Sequence, residues 1–406
     1  GEGSGDDLEE ILHPYEDRSM TVVRYVQQER VAVLTLCNPP VNALSVATRT
    51  GLLDGVNRAL ASDAAAILIV AEGSTFSAGA DINEFGQPPV EPSLGDLFRH
   101  IEDCPLPVVV AIQGAALGGG FELALAAHYR IAARNARIGL PEVKLGLLPG
   151  AGGTQRLPRL SGANAALEVI LSGEPIAAEA ALQMGMLDDV VDGDLAEAGL
   201  IWADQIADGG LGPRPTRKVT TGMSDPVTFM ADIAAWHAAL EGETADTTGK
   251  IIECVEASLL LPFEAGLRRE RSVFRELLAS DRSRGLRHAF RAERSAGRSA
   301  KQVSGKPRYI QSCVVMGGGF LGGSISMALL NSGLKTTLIE TDDASLSEAV
   351  GSILDVYDRS VSRGDLAASE RDARMALLSG SSAYTSAAGA DFAMFLVCQR
   401  RHETRS

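Results

Sequence analysis

The chain has 406 residues, 45% of them hydrophobic and 22% charged, with a net charge of −15. This excludes a wholly disordered polypeptide, and at roughly 150 residues per domain the length suggests two to three domains. The acidic balance argues against nucleic acid or an anionic membrane as main partner. Five cysteines without C-x-x-C spacing and six scattered histidines indicate neither a disulfide framework nor a metal site. No apolar run reaches the ~18 residues of a spanning helix and the start is acidic, so a protein of the cytoplasm or an organelle matrix is expected.

Residues 1–20 are polar and read as a flexible leader, with the fold beginning near Thr21. VVRYVQQERVAVLTLC (22–37) reads as a β-hairpin turning at QQER and stopped by Asn38-Pro39-Pro40. Leu52, Leu53, Val56 and Leu60 recur at helical spacing and predict a helix from about Ser45 to Ala61. The apolar runs 64–72 and 108–113 predict strands covered on both faces. A buried helix is expected over Glu122 to Ala127, and 139–159 reads as a Gly/Pro-rich loop.

Beyond Asp192, helices are expected at 195–208, 228–242 and 248–258, with a further pair within 264–297. Between Arg268 and Arg308 eleven Arg and two Lys face four acids, an excess of +9. Such a run is either a solvated helix face or a surface for an anionic ligand or a domain interface. SAKQVSGKP (299–307) reads as a linker. A fresh unit then follows: strand 312–316, a helix to Ser332 with Gly333 as its C′ residue, strand 335–340 and the apolar run 392–397. Strands alternating with helices imply a layered α/β core.

Gly118-Gly119-Gly120 precede a helical stretch, so free N–H groups and the positive end of a helix dipole coincide there. A second N–H from the SAGAD turn (77–81) would complete a two-donor site for negative charge on oxygen. The competing reading is a glycine-rich helix start needed only for close packing. Glu122 and Glu142 are carboxylates embedded in apolar sequence. Two such groups in a water-poor pocket push their pKa values apart, leaving one as base and one as acid. That equipment suits adding or removing water across a double bond.

F-x-A-G-A-D (76–81), A-L-G-G-G-x-E (116–122), G-L-P-E-V (139–143) and P-G-A-G-G-T-Q-R-L-P-R (149–159) resemble the crotonase, or enoyl-CoA hydratase/isomerase, superfamily from about Val22 to Asp192. Because a Rossmann-type unit follows, the chain is similar to the N-terminal part of the fused enzymes that join a hydratase to a 3-hydroxyacyl-CoA dehydrogenase in fatty-acid β-oxidation. The resemblance implies an α/β architecture: a crotonase domain, the ββα spiral, over 21–260; a basic helical linker over 261–308 that completes its core; and a partial Rossmann-type NAD-binding unit over 309–406. It also implies that the N–H groups of Ala80 and Gly119 form an oxyanion hole and that Glu122 and Glu142 do the proton work. Ala78, Asp81, Ile82, Gly118 and Gly119 would line the substrate. A lysine often present after G-A-D-I is Asn83 here, a departure from the family pattern that leaves the phosphate contacts of CoA unassigned.

The implied activity is reversible syn hydration of trans-2-enoyl-CoA, with isomerisation between the 3 and 2 positions as a second activity of the same site. The substrate is a CoA thioester and the assembly a monomer or a trimer. Gly317, Gly319 and Gly322 satisfy G-x-G-x-x-G after a strand, and Glu340 closes the next one, the pattern of an NAD site. In the fused enzymes the catalytic His–Glu pair lies downstream of this region, so hydride transfer is not expected from the chain as given. Two alternatives stay open: an NAD-dependent dehydrogenase carrying a passenger hydratase half, and a non-catalytic RNA-binding relative, which the net charge disfavours.

Overall fold

A computed structural model describes residues 22–240, 245–302 and 309–396, and the chain divides into two compact units, 1–299 and 300–406. The expected leader at 1–20, Cys398 and most of the expected linker at 299–307 lie outside the described residues.

In the first unit, β1 (Val23–Gln28) and β2 (Val31–Leu36) pair antiparallel, with Gln28 opposite Val31. The hairpin therefore turns on two residues, Glu29 (φ 50°) and Arg30, rather than on QQER as the polar run suggested. Helix α1 (Val46–Leu60) follows, its N-terminus capped by the Ser45 hydroxyl accepting from the Thr48 N–H. Then come β3 (Ala66–Ala71), α2 (Leu94–Glu102), β4 (Val108–Ile112), β5 (Ala115–Leu117), α3 (Gly119–Ala126), β6 (Tyr129–Ala133) and β7 (Arg137–Gly139). The remainder of the unit is α4 (Gly153–Ser172), β8 (Ile176–Ala177), α5 (Ala178–Gln183), β9 (Asp189–Val191), α6 (Leu195–Asp208), α7 (Pro226–Ala238), α8 (Ala245–Leu260), α9 (Phe263–Ala279) and α10 (Asp281–Gln302).

The main sheet has six strands in the order β1-β2-β3-β4-β6-β9, parallel after the first hairpin, and a three-stranded sheet β5-β7-β8 stands beside it. Both faces of the main sheet are covered. Ala32, Leu34, Leu36, Ile67, Ile69, Val108 and Val110 pack under α1 to α4, while Val31, Val33, Leu68, Val109 and Ile131 pack under α6. Such two-sided burial explains why these strands read as continuous apolar runs instead of alternating ones.

Two elements differ from expectation. Residues 139–159 are not a loop: they hold a short 3-10 helix (Pro141–Leu145) and the start of α4, which bends where Gly162 leaves helical geometry at φ 84°. Gly152, Gly153, Pro158 and Gly162 remove the usual helical signature, and burial of Thr154, Gln155, Arg156 and Leu157 replaces it. In addition, α10 runs on to Gln302, so the first residues of the expected linker are helical.

The second unit contains β10 (Ser312–Met316), α11 (Phe320–Asn331), β11 (Lys335–Ile339), α12 (Asp343–Ser362), α13 (Ala368–Met375), β12 (Leu378–Ser381) and β13 (Phe392–Phe395). Its four strands are all parallel, in the order β12-β11-β10-β13. Gly333 (φ 77°) terminates α11 at C′ as the sequence indicated. No helix among the described residues is long and apolar enough to cross a membrane.

Candidate active site

The site of the first unit is assembled where β3 and β4 end, the edge at which layered α/β folds bind ligands. After β3 the chain turns through 74–81, and after β4 it enters β5 and α3; a bridge between Ser77 and Ala116 ties the two segments together. Gly114 (φ 58°) makes this approach possible, since a Cβ there would meet the Ser74 carbonyl at 1.8 Å. The turn is further pinned by Asn42, whose Nδ2 donates to the carbonyls of Glu72 (2.9 Å) and Thr75 (2.8 Å). The Ser77 hydroxyl donates to the Asn42 carbonyl and accepts from the Gly79 N–H.

This frame sets Ala80 beside Gly119. A Cβ built on Gly119 would lie 3.1 Å from the Ala80 nitrogen. Among the described residues, neither the Ala80 nor the Gly119 N–H donates to any acceptor of the fold. Gly119 is the first residue of α3, not a residue before it, so its N–H is one of the unsatisfied donors of a helix start. At the other end of α3, buried Arg130 donates to the Ala124 (3.3 Å) and Ala127 (2.8 Å) carbonyls, a cation at the negative end of the dipole.

Glu122, in the first turn of α3, is 3% exposed and does not cap its own helix. Its Oε1 accepts from the Ala151 and Gly153 N–H groups, both at 2.8 Å, at the start of α4. Burial raises its pKa, and the two N–H donors and Arg156 oppose that rise. Glu142 lies against Gly118, where a Cβ would come within 2.9 Å of Oε1, and its enclosed Oε2 has no hydrogen-bond partner among the described residues. Burial, then the charges of Glu122 and Glu270, push the Glu142 carboxyl well above the ordinary carboxylate range. The two acids are thus electrostatically coupled and unequally supported: Glu122 has donors that favour its anion, whereas Glu142 has none on its free oxygen.

The remaining expected residues surround this point. The Ala78 N–H donates to the Val41 carbonyl, and Asp81 caps the 3-10 turn Ile82–Glu84 by accepting from the Asn83 N–H. The Ile82 carbonyl accepts from Arg291 of α10 at 2.6 Å, so the arginine-rich segment reaches the loop expected to line the substrate. Gly118 supplies the positive φ (53°) that turns β5 into α3.

Glu270 is the group that reading for charge alone missed. It comes from α9, is 1% exposed, and accepts from the Gly152 N–H (2.7 Å), the Thr154 N–H (2.9 Å) and the Thr154 hydroxyl. The signal was present in the spacing: Phe263, Gly266, Glu270, Phe274 and Leu277 recur at three and four residues, which puts this carboxylate on the buried stripe of an otherwise charged helix.

In the second unit, the glycine turn between β10 and α11 fits a dinucleotide. Gly317 has φ 98°, a Cβ on Gly322 would strike the Gly317 carbonyl at 1.7 Å, and none of the described residues lies within 4 Å of the Cβ position of Gly319. Glu340, just past β11, accepts from the Gly318 N–H, and Phe320 at the helix start is 94% exposed. The expected Gly317, Gly319, Gly322 and Glu340 therefore share one open turn at a helix N-terminus.

Two N–H donors beside two electrostatically linked acids on a sheet–helix scaffold make this an α/β protein with a candidate acid–base site. The chain belongs to the enoyl-CoA hydratase/isomerase family, whose model matches residues 26–244. Residues 312–400 match the 3-hydroxyacyl-CoA dehydrogenase NAD binding domain. The chain is 38% identical over 355 residues to the peroxisomal bifunctional enzyme of Danio rerio, covering 86% of this chain and 49% of that protein. To a peroxisomal fatty acid beta-oxidation multifunctional protein of Arabidopsis thaliana it is 34% identical, covering 91% of this chain and 53% of that one. The crystal structure of an enoyl-CoA hydratase/isomerase from Pseudoalteromonas atlantica superposes with a TM-score of 0.51 at 26% identity, over 67% of this chain and 97% of its own. The chain spans about half the length of the curated relatives it matches.

Proposed function

We propose that the first unit catalyses the reversible syn hydration of trans-2-enoyl-CoA to 3-hydroxyacyl-CoA. The observation that carries this reading is the placing of two unengaged N–H groups, Ala80 and Gly119, at the helix start that also bears Glu122 and packs against Glu142. The thioester carbonyl oxygen accepts from both N–H groups, with Ala78, Asp81, Ile82 and Gly118 around it. Glu122, whose anion is favoured by Ala151 and Gly153, takes a proton from water as the water oxygen bonds to the β-carbon. The π electrons move toward the carbonyl, and the enolate oxygen is held by the two N–H groups, each such donor contributing about 3–4 kcal/mol to transition-state stabilisation. Glu142, carrying its proton, delivers it to the α-carbon, and the carbonyl re-forms. Glu122 ends protonated and Glu142 ionised, so one proton returned between the pair through solvent closes the cycle.

The Oε2 of Glu142, without a partner among the described residues, supports a second activity of the same site. One carboxyl can take a proton from the α-carbon of a 3-enoyl thioester and return it to the γ-carbon, shifting the double bond. In the second unit, Gly317, Gly319 and Gly322 would hold the pyrophosphate of NAD and Glu340 the adenosine ribose hydroxyls. Bound NAD supplies a hydride acceptor, and these residues bind and orient it. We read 21–260 as the hydratase domain, 261–308 as the helical segment completing it and 309–406 as the dinucleotide unit. The names of the relatives support an organelle-matrix location and a role in β-oxidation.

The test follows loss of the conjugated enoyl-thioester absorbance with the full chain. Glu122→Gln and Glu142→Gln are expected to lower kcat by about 10²–10⁴-fold. Full hydration by both variants would remove the mechanism.

A further inference from the structure

At the start of α4 four consecutive N–H groups are shared between two carboxylates in alternation. Ala151 and Gly153 donate to Glu122, and Gly152 and Thr154 donate to Glu270. Both acids are served at once because the turn points alternate donors to opposite sides, with Gly152 at φ 112°. Glu270 also accepts from the Thr154 hydroxyl, so both of its oxygens are engaged.

We propose, on the hydratase reading above, that Glu270 is a positioning residue: it clamps the 150–154 turn so that the Ala151 and Gly153 N–H groups stay on Glu122, and its carboxylate faces the Glu122–Glu142 pair. Without it, two N–H groups in a dry site lose their acceptor, and the turn relaxes toward whatever satisfies them. The groups around Glu270 come from every neighbouring element. They are Thr154, Gln155 and Arg156 of α4, Glu122 of α3, Glu142 of the 3-10 turn, Cys254 of α8 and Arg271 of its own helix. Burial first and Glu122 second push Glu270 itself up to about 8.

Glu270→Gln keeps the volume and one acceptor, but it removes the charge and sets an NH₂ group against the Thr154 N–H. The expected result with a short 2-enoyl-CoA is a kcat lower by roughly 10-fold with KM within about 2-fold, as for a displaced reacting group. The alkaline limb of the pH–rate profile should also move to lower pH, because less negative charge near Glu142 lets it lose its proton earlier. An unmoved limb overturns the proposal, whether kcat is unchanged or falls only in step with thermal stability. Should Glu270→Gln fail to fold, Thr154→Val removes only the hydroxyl donor to Glu270 and keeps its charge, so a several-fold lower kcat with an unmoved limb is expected, and an unchanged kcat in that variant overturns the proposal equally. A wild-type chain without hydration defeats the hydratase reading and this inference together. An active wild type, inactive Glu122→Gln and unaltered Glu270→Gln defeats the inference alone.

Discussion

Two glycine-rich helix starts stand side by side in the first unit and are used in opposite ways. At α3 the Gly119 N–H meets no acceptor among the described residues, whereas at α4 each N–H from Ala151 to Thr154 is taken by Glu122 or Glu270. The same positive dipole end is thus left open in one place, where the proposed hydration would seat the thioester oxygen, and in the other is a mount for side chains. Glycine content alone does not distinguish them; what differs is whether a carboxylate of the chain reaches the donors first.

The sharpest way to break this contrast is to fill the open start. Gly119→Ala places a methyl 3.1 Å from the Ala80 nitrogen, where the thioester oxygen would bind. Hydration is expected to fall about 10²–10³-fold, the scale of losing an oxyanion donor, with thermal unfolding little changed. A near-normal rate would show that α3 is merely a packed helix.

A second test addresses the far end of α3. His128 is buried there, accepting from the Val108 N–H at Nδ1 and donating from Nε2 to the Glu102 carbonyl at 3.2 Å, and burial lowers its pKa from 6.5 to about 4. A depressed histidine binds its proton more readily when unfolded, so its contribution is complete above pH 6.5 and is lost as pH falls toward 4. The loss is on the order of 3 kcal/mol. Glu270, raised to about 8, works in the opposite sense and costs stability as pH climbs from 4.5 toward that value. Denaturant titrations of wild type and His128→Gln between pH 4 and 7 should converge in slope only above 6.5; parallel curves throughout would refute the assignment.

The filled start is probed more gently. A Cβ on Gly266 would lie 2.0 Å from Gln155 Oε1, so Gly266→Ala is expected to push α9 from α4. Overpacking of this kind costs about 1–3 kcal/mol. A lowered melting temperature and a several-fold smaller kcat are the outcomes to measure, and a loss of rate without loss of stability would separate Glu270 placement from packing.

Much of the frame was legible in the chain itself. The helix expected from about Ser45 to Ala61, the strand 312–316 and the C′ glycine Gly333 follow from local chemistry, and each stands within a residue or two of its expected place. Glu122 and Glu142 stood out because an acid in apolar sequence demands a reason. The α4 start did not, since glycines and prolines hide a helix whose stability comes from its neighbours. Glu270 was obscured by the arginines around it: a count of charges discards the periodicity that marks which face of a helix is dry. No local rule connects Gly152 to a carboxylate 118 positions later; only the folded packing of α9 on α4 does.

That separation sets an order of assembly during synthesis. The clamp on the α4 turn must wait until the ribosome has released α9, long after the sheet and both glycine-rich starts are available to collapse. A fragment trimmed to the span of the family match, 26–244, would keep the acids Glu122 and Glu142 but leave the Gly152 and Thr154 donors stranded. Anyone excising this domain by homology should therefore carry the cut past Ala279, the last residue of α9.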